Sequence, residues 1–246
     1  MSLAAVLVDP AAKAGLIFLS LALLVVMVRR DRLAADRLLP SDAFSLQSVS
    51  GAALWVVLLL SMAFNPLQIF GPIFLQRLHG FDPLVAGYTV AGASMAWTVA
   101  ALAVAGLRGG RPAYVIIFGP LVMALGHAGF ATMMPAGPIV PLVMAILLIG
   151  AGIGMSSAFS IQRVMSGAKP GEEDVAASSV ATVQQTGLAV GAALAGLVAN
   201  TAGFSEGLDA ASNGRAAVWV SSSLVPGLLA AAAIGIVLRN LERRPR

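Results

Sequence analysis

Three groups of neutral polar residues interrupt otherwise apolar stretches of this chain. Ser61, Asn65 and Gln68 fall at i, i+4 and i+7, so on a helix they share one face. Ser156 and Ser157 break a second apolar run, and Thr182, Gln184 and Gln185 a third. Such groups at membrane depth turn towards a bundle interior or a wet cavity. In a cavity they would offer neutral hydrogen bonds within an apolar wall, which suits a small amphipathic or cationic organic solute. Between helices they would act as interhelical glue, each bond worth roughly 0.6 kcal/mol. Both readings stand for all eight residues. His127 is the one group that could titrate inside an apolar run. It reads as a proton relay, or as a neutral ring bonded to a backbone carbonyl or a lipid-side water.

Other chemistries find no footing. All eleven carboxylates fall in loops, termini or span edges, so no buried acid is in place to cycle a proton. Glu172, Glu173 and Asp174 sit where they would complement a helix dipole. The chain has no cysteine and no paired histidines, hence no thiolate or imidazole metal site. No glycine-rich phosphate loop follows a strand. Lys13 and Lys169 are the only lysines, which removes a retinal-type Schiff base from the last span. The expectation is a non-enzyme with no cofactor and no metal.

Elements able to position these residues must be membrane helices. Hydrophobic residues make up 59% of the 246 and charged residues only 11%, against about 25% charged in soluble domains. A helix needs about 20 apolar residues to cross the bilayer core. Seven stretches qualify: about 12–28, 49–75, 83–106, 112–134, 139–161, 175–199 and 216–238. The first has neither the basic flank nor the small-residue cleavage site of a signal peptide. Pro66, Pro72 and Pro120 kink their spans by removing backbone donors. The fifth and sixth spans carry Gly150 and Gly154, and Gly187 and Gly191, small residues four apart that permit close backbone packing in lipid.

Basic residues set the orientation. Twelve of the fifteen Lys and Arg lie on one side of a seven-span layout, and only Lys13, Arg77 and Arg215 on the other. The positive-inside rule then places the N-terminus outside and the C-terminus in the cytoplasm. The positive charge therefore reads as topology and not as nucleic-acid binding.

Several segments resemble a known family. Pro72-Ile73-Phe74-Leu75-Gln76, Gly80-Phe81-Asp82-Pro83-Leu84 and Ala86-Gly87 look like the segment joining the first two helices of the C-terminal half in the drug:proton antiporter-2 family. That is the fourteen-helix multidrug-efflux branch of the major facilitator superfamily. Gly150 and Gly154 resemble its glycine-rich helix. Gly171-Glu172-Glu173, Ala177-Ser178, Thr182, Gln185, Gly187 and Gly191 resemble its acidic loop and the glycine helix that follows. Arg29-Arg30 and the proline-containing segment after it resemble the link from the family's extra helix pair. The loop from Gly106 to Arg111 keeps the superfamily's glycines and arginines but lacks its carboxylate.

The resemblance implies an all-α integral membrane protein of the bacterial cytoplasmic (inner) membrane. A linker helix and basic loop would occupy 1–47, and a six-helix C-terminal bundle 48–246. The implied function is proton-linked antiport, the efflux of small amphipathic organic compounds or drugs, with the bilayer and the solute as partners. An N-terminal half, or a second copy, would have to complete the cavity, because alternating access needs two bodies. The other reading is a non-transporting remnant, or a membrane subunit that binds another membrane protein.

Overall fold

The computed structural model describes residues 37–204 and 209–242, together with 26, 27, 29–31 and 34. The first expected span therefore lies almost wholly outside the described residues. Within them the fold is all-α, with six helices long and apolar enough to cross a membrane. They are α1 (Val49–His79), α2 (Pro83–Val104), α3 (Arg111–Met133), α4 (Ile139–Ser166), α5 (Glu173–Thr201) and α6 (Ala210–Glu242).

Local chemistry sets their ends. Ser48 caps α1, its hydroxyl accepting from the Gly51 amide at 3.1 Å. Gly80, at φ 67°, closes α1 in the left-handed region that costs glycine nothing. Asp82 then accepts from the Leu84 amide at 2.9 Å, and Pro83 opens α2 at the position where its missing N–H is harmless. Glu173 and Asp174 stand in the first turn of α5, where a carboxylate complements the dipole.

Three helices run well beyond the stretches that hydropathy picks out; α1 reaches His79, four residues past Leu75. α4 continues past Ile161 to Ser166, and its Arg163 pairs with Glu242 at the end of α6. α6 begins at Ala210, six residues ahead of the expected span. Its polar first turn is satisfied locally: Asn213 Nδ2 donates to the Asp209 carbonyl at 2.8 Å, and Arg77 of α1 donates to Asn213 at 3.1 Å. Helices end where their backbone is capped, while hydropathy ends where the hydrocarbon does.

α1 is the central helix and packs on α2, α4, α5 and α6, while α3 lies between α4 and α6. Glycine governs the close approaches. A Cβ at Gly150 or Gly154 would overlap the backbone of Ala93 or Trp97 on α2. A Cβ at Gly187 would lie 2.7 Å from the Leu58 carbonyl of α1, and one at Gly191 would overlap the Met62 carbonyl. The two glycine-rich helices thus approach different partners, and α4 and α5 scarcely touch. Proline makes these approaches useful. Pro66 has no N–H to offer the Met62 carbonyl, and Gly191 lets the backbone of α5 close over that orphan. Pro120 frees the Ile116 carbonyl in the same way, and Gly235 of α6 packs over it.

The segment ahead of α1 is docked on the loop between α4 and α5. The Asp31 carboxylate accepts from the Leu38 and Leu39 amides at 2.6 and 3.1 Å, turning the chain and burying Leu39. Ser41 donates to Glu172 through its amide at 3.0 Å and its hydroxyl at 3.1 Å, and Lys169 donates to Ser41 at 2.8 Å. Arg37 lies 3.9 Å from Glu172. Trp55 donates to the Phe44 carbonyl at 2.8 Å and meets the Phe44 ring edge-on.

Candidate substrate-facing wall

α1, which carries Pro66 and Pro72, is flanked by α2 and α5 on a side where several of the expected polar residues lie. Asn65 Nδ2 donates to the Leu188 carbonyl of α5 at 2.7 Å. Ser61 is buried under Gly187. Gln68 turns the other way and reaches the Ser94 hydroxyl of α2 at 3.5 Å. On α5, Thr182 and Gln184 are half-buried and Gln185 is exposed. The α1 and α5 groups therefore divide: Ser61 and Asn65 turn to α5, Gln68 to α2, and Gln185 to the exposed side of α5. Asn65 is committed to holding α5, whereas Gln185 is exposed.

The two serines of α4 diverge. Ser156 is fully buried and donates to the Val115 carbonyl of α3 at 2.9 Å, on the side of α4 away from α5. Its hydroxyl sits where a Cβ of Gly119 would be, so Gly119 makes the room for that bond. Ser156 is interhelical glue. Ser157, the next residue, is half-buried.

His127 lies inside the bundle. The helix that carries it packs between α4 and α6, at the bundle's edge, but its side chain faces inward and is only 2% exposed. The Ala63 carbonyl of α1 approaches the ring, yet neither ring nitrogen meets an acceptor or donor in bonding geometry. A void of about 10 Å³ adjoins it, edged by Pro66, Phe70, Phe130 and Ser221, room for about one water. Ser221 of α6, a buried hydroxyl, is the polar group that sequence reading missed here.

Ser94 and Thr98 of α2 were missed as well. With Gly87 and Ala91 they form an exposed stripe at helical spacing. α5 shows a second such stripe in Asp174, Ser178, Ala181, Gln185 and Ala189. Neither stripe contains a large apolar side chain. The signal was there in the three- and four-residue spacing of small residues, but it resembles ordinary helix packing until the fold leaves both stripes exposed.

Outside the apolar core the fold lowers the pKa of two carboxyls, Asp209, which the Ser212 hydroxyl holds down, and Glu172. For Glu172 two effects oppose each other. Partial burial pushes its pKa up, but the Ser41 amide and hydroxyl, with the charges of Lys169 and Arg37, outweigh this and hold the carboxyl below the ordinary glutamate value.

Among the described residues no cluster of three or more His, Asp or Glu could hold a metal ion. No family model matches the chain. The chain is similar to a protein of Mycobacterium tuberculosis named a probable multidrug-efflux transporter. The identity is 36% over 197 residues, in the versions from strains CDC 1551 and H37Rv alike. The match covers 77% of this chain but 41% of the relative, so the chain spans about two fifths of the length of the curated relatives it matches.

Proposed function

We propose that the chain is the C-terminal half of a secondary active transporter of the drug:proton antiporter-2 type. It would export small amphipathic organic compounds in exchange for protons, together with an N-terminal half or a second copy. The observation that carries this reading is the pair of small and polar exposed stripes on α2 and α5, which flank α1 with its exposed Ile69. Such stripes suit close contact with a second helical body and a wet cavity between the two. The extent of the similarity supports it, since about two fifths of a multidrug-efflux transporter's length is what one six-helix body and a linker would match. Gln68, Gln185, Thr182 and Gln184 are the proposed solute-facing groups. Ser61, Asn65 and Ser156 position the helices, and His127 is the proposed proton-bearing group.

Dye efflux from energised vesicles tests the proposal. The chain alone should insert but drive no efflux, and co-expression with an N-terminal half from its own genome should restore it. Replacing Gln68 or Gln185 by Leu in that pair should change substrate preference more than protein level. Robust, proton-dependent efflux by the chain alone would point instead to a homodimer.

The proposed location is the bacterial inner membrane, with the α4–α5 loop in the cytoplasm. The chain has no cysteine, so single thiols report cleanly. Ala136→Cys should react with an impermeant reagent in intact cells, and Ser166→Cys only after permeabilisation. The reverse pattern would invert the orientation.

A further inference from the structure

The loop between α2 and α3 carries Arg108 and Arg111 without the carboxylate expected beside them. Both side chains are exposed. Among the described residues the two ion pairs lie elsewhere, Arg37 with Glu172 and Arg163 with Glu242. α3 begins at Arg111, and its cap residue, Gly110, has no side chain to satisfy the first amides. Arg111 and Tyr114, three apart, share a face. From α6 the Arg239 guanidinium lies 5.4 Å over the Tyr114 ring, and its Nε is shielded with no acceptor. Glu242, the carboxylate nearest Arg239 along α6, is engaged by Arg163. Arg111 and Arg239 thus meet at one corner through Tyr114, with Arg108 three residues ahead in the chain and an uncapped helix start, and among the described residues no carboxylate pairs with any of the three.

We propose that this corner binds the phosphate headgroup of an anionic phospholipid, held between Arg111 and Arg239 beside Tyr114, with Arg108 adding charge. Guanidinium forks match phosphate oxygens two at a time. The bilayer surface presents phosphates at this depth, each nearby arginine contributing about fivefold in affinity. A lipid fits better than free phosphate because the site continues into hydrocarbon. Tyr114, Phe118 and Leu125 follow one another along the same outer face of α3, 44%, 52% and 63% exposed, as a track for an acyl chain.

The test is the thermal melt of the purified chain in detergent, titrated with phosphatidylglycerol, phosphatidylcholine or inorganic phosphate. Phosphatidylglycerol should raise the melting temperature, and the other two should not. Arg111→Gln and Arg239→Gln should each weaken the half-saturating concentration about fivefold, while Lys169→Gln should leave it unchanged. Gly110→Asp separates loss of the site from loss of the fold. A Cβ there meets nothing within 4 Å, and Asp is a favoured cap residue. This variant should melt at or above the parent without lipid, yet respond less to phosphatidylglycerol, because its carboxylate occupies the corner. An equal rise with phosphatidylcholine or with inorganic phosphate would overturn the proposal. So would a full lipid response in Gly110→Asp.

Discussion

The bundle has two exposed sides, and they differ in chemistry. Along α3 and α6 the outward residues include the bulky, apolar Phe118, Leu125, Trp219, Leu229 and Ile236, with Ser222, Ala230 and Ala233 between them on α6. On the other side α1 exposes Ile69, but α2 carries a stripe of Gly87, Ala91, Ser94 and Thr98, and α5 one of Ser178, Ala181, Gln185 and Ala189. α2 belongs to both sides, since Tyr88, Met95 and Leu102 cover its other face. Lipid rewards large apolar side chains on the first side. The second gains little from lipid, and its small residues leave room for another backbone to come close. In a membrane protein, therefore, exposure alone separates nothing; the size and polarity of what is exposed separate bilayer from partner.

Glycines inside the bundle sharpen the contrast most strongly. Gly191→Leu drives a side chain into the Met62 backbone, where overpacking costs about 1–3 kcal/mol or more. At Gly196, on the same helix, an added Cβ meets nothing within 4 Å, which leaves Gly196→Leu room to turn outward. The first should lose most of its folded protein in a detergent melt and the second should behave like the parent. Equal melts would place α5 against some other helix.

A smaller effect separates glue from wall. Ser156→Ala removes a buried bond to the Val115 carbonyl and should cost about 0.6 kcal/mol. Gln185→Ala, on the open face, should leave the melt unchanged while altering transport in the reconstituted pair. If Gln185→Ala proves the more destabilising, that residue belongs to the core and not to the wall.

Smallest is the pH response of the docked linker. Glu172 has a folded pKa below its ordinary value of 4.5. Its contribution is therefore complete above that value and is lost as pH falls through the lowered one. Acid should loosen the contact between Ser41 and the α4–α5 loop, read as a rise in distance between spin labels at Leu38 and Gly171. Glu172→Gln should show the loosened distance at neutral pH and no further change in acid.

Much of the fold was legible because its signal is local. Long apolar runs, Pro83 after Asp82, and the acidic start of α5 each specify an element without tertiary help. Partner choice was not legible. Gly150 and Gly191 announce close packing, but only the three-dimensional arrangement assigns Ala93 to one and Met62 to the other. Ser156 and Gln185 look alike in sequence, each a polar group in an apolar run; their helices turn one inward and one outward. The inward turn of His127 was hidden for the same reason, since a single polar residue fixes no face on a helix apolar all round.

The α2–α1–α5 face is proposed to meet a second transmembrane body. Photo-crosslinking in the native membrane tests it most directly, with a benzophenone amino acid placed at Gln185 and, for comparison, at Leu125. Irradiation at position 185 should join this chain to another multi-helix membrane chain, identified by mass spectrometry, whereas position 125 should yield only lipid adducts. Lipid adducts alone at both positions would contradict it.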